Sequence, residues 1–166
     1  MRAFSLVLAL LVLGACLPLG GCQTGQSGDL LSPFRGGYTA DLEGVCDGAS
    51  FAASLTQTPD EQGGYALTLT FYAPEGLSGT VLHKSGRGEL SLTAGGVTLT
   101  GEACAGFADL LTLFPAEGEV ERIALLDGGN TQVSGQGFSL ELLASGVPLR
   151  IERPRIKATI VQFSVE

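Results

Sequence analysis

Few residues in this chain are of a type and spacing that could do chemistry. There is one histidine, His83, with no Gly-x-Ser-x-Gly elbow anywhere, so a nucleophile activated by an imidazole base has no basis. One histidine and two cysteines far apart in the mature chain, Cys46 and Cys104, do not make a zinc set either. Glycosidase chemistry needs only two acids at the right separation, and Glu43, Glu89, Glu102, Glu119 and Glu121 are available. All but Glu102 fall on the solvent side or edge of an alternating strand, with no aromatic platform for a sugar. Gly135-Gln136-Gly137 precedes a strand, not a helix, so it cannot cradle phosphate as a glycine-rich loop does. The expectation is a protein that is not an enzyme and carries no cofactor and no metal.

The remaining reactive groups are Cys16 and Cys22, which close Leu13-Gly14-Ala15-Cys16 and Leu19-Gly20-Gly21-Cys22. Ahead of them Arg2 supplies a positive charge and Ala3 to Leu13 an apolar core. That core is too short to span a bilayer, which takes roughly 20 apolar residues, and Gly14, Pro18, Gly20 and Gly21 interrupt the chain after it. The segment resembles bacterial lipoprotein signals, and the resemblance implies a diacylglyceryl thioether on the lipobox cysteine. Cys22 is favoured because the polar run Gln23 to Asp29 after it suits a flexible tether; the alternative Cys16 would start the tether with apolar Leu17-Pro18-Leu19. The organisation expected is a signal over residues 1–22, a tether over 23–33 and one domain over 34–166, extracytoplasmic and held to a bacterial membrane by lipid.

Composition agrees with an exported, strand-rich domain. The formal net charge of -8 repels phosphates, so nucleic acid is not an expected partner. Arg150, Arg153, Arg155 and Lys157 form the one basic cluster, read as a solvated strand edge. Twenty-five glycines and no tryptophan accompany alternating Leu, Val and Thr, the pattern of strands joined by tight turns.

These strands must position whatever site exists. Tyr38, Ala40, Leu42, Gly44 and Cys46 share one face, and a two-residue turn at Asp47-Gly48 would set Cys46 opposite Ala49, Gly44 opposite Phe51, Leu42 opposite Ala53 and Ala40 opposite Leu55. Gly95-Gly96 would likewise pair Ala94 with Val97, Leu92 with Leu99 and Leu90 with Gly101. Only residues 102–114 change period: Ala103, Phe107, Leu110, Leu111 and Phe114 follow helical spacing up to Pro115, which predicts an amphipathic helix across a sheet face. Cys46 at the first turn and Cys104 at the start of that helix are a candidate disulfide, with two buried thiols as the alternative.

A lipobox with a Gly/Ser tether, a meander of six or more strands, one interrupting helix and the late segment Gly146-Val147-Pro148-Leu149 together resemble small LolA-like and LppX-like half-barrel lipoproteins. The resemblance implies a mostly β fold, a strongly curved antiparallel meander with one amphipathic helix on its concave face and an apolar cavity between them. The chain departs from the soluble carriers of that group by its tether and by having one lid helix instead of several. Leu67, Leu69, Phe71, Leu92 and Leu99 would form the sheet wall of the cavity, and Phe107, Leu110, Leu111 and Phe114 its helix wall. The functional expectation is an acyl chain or other apolar ligand; the alternative is a structural or protein-interaction module with a closed core. Volume separates them, because a ligand pocket is roughly 300 Å³ or more.

Overall fold

The computed structural model describes residues 30–61, 64–115 and 117–166. The lipobox cysteines Cys16 and Cys22 lie outside the described residues. The fold is mostly β: one antiparallel sheet of eleven strands, open at both edges, with a single short α-helix among the described residues. The strands are β1 (Tyr38–Cys46), β2 (Ala49–Pro59), β3 (Tyr65–Ala73), β4 (Val81–Lys84), β5 (Leu90–Ala94), β6 (Val97–Thr100), β7 (Val120–Leu125), β8 (Thr131–Gly135), β9 (Phe138–Leu142), β10 (Pro148–Arg153) and β11 (Ile156–Val165).

Their spatial order is β6-β5-β4-β3-β2-β1-β11-β10-β9-β8-β7. The sheet is thus two meanders joined where the first strand pairs with the last. Local chemistry sets the hairpins. Asp47 and Gly48 both take positive φ, 49° and 83°, which the right-handed strand twist demands of a two-residue turn. The resulting register sets Cys46 opposite Ala49, Gly44 opposite Phe51, Leu42 opposite Ala53 and Ala40 opposite Leu55, as the alternation predicts. Gly95-Gly96 closes β5 on β6 in the expected register as far as Ser91 opposite Thr100.

Bulges at Asp41/Leu42 and Ala52/Ala53 bend the central strands, and further register shifts interrupt β7 and β10. The apolar face of the curved sheet holds Leu42, Leu55, Leu69, Leu82, Val133, Leu140, Leu142 and Ile151, each nearly or wholly out of solvent. Residues 101–119 run from β6 to β7, the two free edges, and cover that concave face with Leu110, Leu111, Leu113 and Phe114.

This covering segment differs from the expected helix over 102–114. Gly101–Phe107 is 3-10 helix, and only Ala108–Leu111, here α1, is α-helical. The small residues Gly101, Ala103, Ala105 and Gly106 have little apolar surface to bury, and Thr100 provides no side-chain cap. One α-helical turn is all that packing holds in place. Ala103 and Phe107 consequently face solvent, while Leu113, outside the predicted stripe, is fully buried.

The folded unit takes in residues assigned above to the tether, because Leu31 is buried and a 3-10 turn occupies Ser32–Phe34. Phe34 stacks on Phe114 with ring centroids 4.6 Å apart, and Tyr38 and Phe163 complete the aromatic group. Gln57 Nε2 fixes the entering chain by donating to the carbonyls of Phe34 (3.1 Å) and Gly36 (2.7 Å).

Two glycines mark places where backbones approach too closely for a side chain. A Cβ on Gly44 would stand 2.4 Å from the Lys157 carbonyl oxygen, and one on Gly135 would stand 1.8 Å from that of Glu119. Gly135→Ala and Gly44→Ala are each expected to destabilise the domain by about 1–3 kcal/mol. Gly76→Ala, which meets nothing within 4 Å, should stay within about 0.5 kcal/mol of the parent in urea denaturation.

Candidate functional site

The best-formed apolar concavity lies at the end of the half-barrel that carries the Asp47-Gly48 turn. Phe51 and Phe71 from the sheet, Leu77 from the β3–β4 connection, and Gly106, Phe107 and Leu110 from the covering segment enclose about 230 Å³. Cys46, Asp47 and Arg155 stand at its rim. Alternation along β2 and β3 sends Phe51 and Phe71 inward, and their rings meet edge to face at 6.4 Å. The space exists because Gly106 and Ala49 bring no side chain large enough to fill it.

The rim is ionic. Arg155 follows Pro154 in the two-residue turn between β10 and β11, and its guanidinium grips both carboxylate oxygens of Asp47. Asp47 N–H also donates to the Arg155 carbonyl at 2.9 Å, so the two turns are tied through backbone and side chain together. Asp109 on α1 lies 3.7 Å from the same guanidinium. Next to it Arg153 donates to the Leu113 carbonyl at 2.8 Å, pairs with Glu119 at 3.4 Å and sits over the Phe138 ring. Hydrogen bonding to Arg155 holds the Asp47 carboxyl below the ordinary carboxylate range. That contribution is complete above the unfolded pKa and fades as pH falls through the lowered folded one.

These arginines correct the reading of the basic cluster as a strand edge. β11 is an interior strand beside the central β1, and β10 is its other neighbour; the true edges are β6 and β7. Arg153 and Arg155 clip the covering segment to the sheet, and Lys157 pairs with Glu152 at 3.4 Å. Arg150 is exposed. No sequence period signals this, since the partners Leu113, Glu119 and Asp109 are distant in the chain.

The structure divides the predicted wall. Phe71, Phe107 and Leu110 line the cavity; Leu69, Leu111 and Phe114 are close-packed core instead. Leu67 and Leu92 are half-buried beside that core. Leu99 is 47% exposed on the edge strand, and Phe107 is 38% exposed at the cavity mouth. Sequence reasoning missed Phe51 as a lining residue, although its place opposite Gly44 was available. Cys46 and Cys104 are both free: Cys104 is buried and its Sγ donates to the Leu99 carbonyl at 3.4 Å, so the candidate disulfide is not formed. His83 is half-buried on β4, its Nδ1 hydrogen-bonded to Thr68 Oγ1 at 3.1 Å. Glu43, Glu89, Glu102, Glu119 and Glu121 are exposed and scattered over separate elements. Among the described residues no group of three His, Cys, Asp or Glu side chains could hold a metal, and no helix is long and apolar enough to cross a membrane.

No protein-family model and no curated protein matches the sequence. Solved structures do resemble the fold. An uncharacterized conserved protein from Thermus thermophilus superimposes with a TM-score of 0.53 at 15% identity, over 82% of this chain and 83% of that one. A domain from Vibrio parahaemolyticus named for outer membrane lipoprotein sorting gives 0.46 at 11% identity, over 79% and 86%. A LolA superfamily protein from Nitrosomonas europaea gives 0.37 at 10% identity, over 80% and 87%. At these identities the likeness is one of fold.

Burial, and then the Asp47 charge, push the Cys46 thiol above its ordinary range, against a smaller opposing pull from Arg155. Asp47→Asn removes a raising charge and frees Arg155, so it should increase the thiolate fraction. In a Cys104→Ala background, Cys46 is expected to react with an aromatic disulfide reagent at about pH 8 more slowly than free cysteine, and faster once Asp47→Asn is introduced.

Proposed function

We propose that this protein is a non-enzymatic, extracytoplasmic lipoprotein whose half-barrel takes the end of an acyl chain, or a comparable apolar group, into the cavity between the sheet and its covering segment. The observation that carries this reading is the apolar concavity itself, with Phe51, Phe71, Leu77 and Leu110 converging on unfilled space and Phe107 at its mouth. Its 230 Å³ falls short of the roughly 300 Å³ at which ligand pockets begin, which restricts the occupant to part of a chain and not a whole lipid. Support for the anchor comes from the lipobox at Cys22 and the polar run after it.

A closed-core interaction module is the second reading. It is favoured by the tight burial of Leu69, Leu82, Leu111 and Val133, which leaves the middle of the concave face filled.

Two measurements test these claims. The full chain is expected to bind 11-(dansylamino)undecanoic acid with a rise in dansyl emission, and Leu77→Trp, which blocks the mouth, should abolish that rise without lowering the unfolding midpoint. No emission change with the parent protein, together with no lipid in its organic extract, would leave the closed-core module. For the anchor, Cys22→Ser is expected to move the protein from the membrane to the soluble fraction; release by a Cys16 substitution alone would assign the lipid to Cys16.

A further inference from the structure

The two ends of the half-barrel differ in chemistry. At the end just described, the hairpin tips carry Asp47, Arg155 and the arginine clips. The other end is where the chain enters the domain at Leu30, and there the half of the sheet built from β7 to β11 ends in apolar side chains. Register places Leu125, Thr131, Leu142 and Pro148 in one row across β7, β8, β9 and β10 at this end, with Val165 closing β11 beside the start of β1. Beyond the row the β9–β10 tip folds back tightly: Leu143 N–H donates to the Val147 carbonyl and Gly146 N–H to the Leu143 carbonyl, both at 2.8 Å. From Leu142 to Leu149 there is no charged residue.

The side chains here are exposed, although they are apolar. Leu125 is 80% accessible, Val165 56%, Val147 39% and Leu143 37%. Between the tip and the entering chain lies an open groove of about 430 Å³, lined by Leu30, Pro33, Val147, Phe163 and Val165 among others. On the same end but the other half of the sheet, the β2–β3 and β4–β5 loops carry Asp60, Glu61, Arg87 and Glu89. The exposed apolar side chains are therefore concentrated on one side, where Arg35, Asp127 in the β7–β8 turn and Glu166 after Val165 are flanking charges. Exposed apolar side chains grouped at one end of a domain in this way mark an interaction site.

Chain length selects the occupant. Residues 1–29 precede the groove, and if the anchor is on Cys22 only Gln23 to Asp29 separate it from Leu30. Seven residues reach at most about 25 Å when fully extended. The groove and tip are then the part of the domain that is never far from the bilayer.

We propose that this end is a membrane-docking surface, on which Leu143, Val147, Val165 and Leu125 rest in the bilayer interface while the cavity at the opposite end faces away. The inference rests on the anchored-lipoprotein reading above. Docking of this type is apolar, so it is insensitive to salt and needs no anionic lipid, in keeping with a chain of net charge -8.

The absence of native tryptophan makes the test direct. The full lipidated chain carrying Val147→Trp is reconstituted in phosphatidylcholine vesicles with or without brominated acyl chains; Tyr72→Trp, 58% exposed and near the other end, is the control, and Leu143→Trp replaces Val147→Trp if that variant misfolds. The expected result is a blue shift and loss of emission at position 147 that persists in high salt, with position 72 unquenched. If both positions stay unquenched while the protein floats with the vesicles, the domain hangs free and the docking surface is wrong although the anchor stands. A blue shift that depends on protein concentration and not on bromine assigns the groove to a second copy and overturns docking. Failure to float with vesicles at all removes the anchor reading, and docking with it.

Discussion

The ladder between β1 and β11 is the constraint on which the rest of the fold depends. It places the first and last strands in the middle of the sheet, so the two free edges, β6 and β7, are as far apart as eleven strands allow. Ten inter-strand gaps would separate them by about 48 Å in a flat sheet. Residues 101–119 must bridge that distance, yet the rises of their 3-10 and α-helical turns limit them to roughly 43 Å even if laid in a line. The sheet has to curve, and the bridge has to run along the chord. Curvature and cover are therefore one requirement: the segment that joins the edges is also the segment that closes the core.

The parts of the fold that could be read from the chain are accordingly those fixed locally. Asp47-Gly48 and Gly95-Gly96 set register through turn geometry, and strict alternation on either side agrees with them, so each hairpin is determined within about 20 residues. The β1–β11 pairing has no such local signature. Without it, a run of meandering strands gives no reason to place Ile156 to Val165 in the interior of the sheet, and the basic residues near it look like edge residues. The helix over 102–114 failed for a related reason. Periodicity reports which side chains share a face, but Gly101, Ala103, Ala105 and Gly106 offer that face too little apolar surface to hold a continuous helix, and the bridge spends its length on reach instead of on regular turns.

The site was legible to the same extent. Phe71, Leu110 and Phe107 could be assigned to facing walls because alternation and helical spacing both act over short range. Which of the nine predicted wall residues border empty space and which border each other depends on the sizes of their partners across the gap. Leu69 and Leu111 are sealed in the core, whereas Phe51 and Phe71 border space left open beside Gly106. The arginine clips were invisible, because an ion pair such as Arg155 with Asp47 joins residues 108 positions apart and leaves no period in the sequence. The pair is exposed, so its chief contribution is positional: it fixes the two turns that form the rim.

Why the cavity lies at one end and not in the middle is explained by the aromatic residues. Phe34, Tyr38, Phe114 and Phe163 converge where the chain enters, with Phe34 flat against Phe114, and the four rings pack against one another there. Burial pushes the Tyr38 phenol above its ordinary range, as expected of a group held in that apolar cluster. The leucines of β2, β3 and β4 fill the centre. What remains is the far end, where Gly106 of the covering segment leaves space beside Phe107 and Leu110. A fold that plugs one mouth with four packed rings and leaves space at the other acquires a direction. Its closed mouth is the one the chain itself enters, so the open mouth lies on the opposite side.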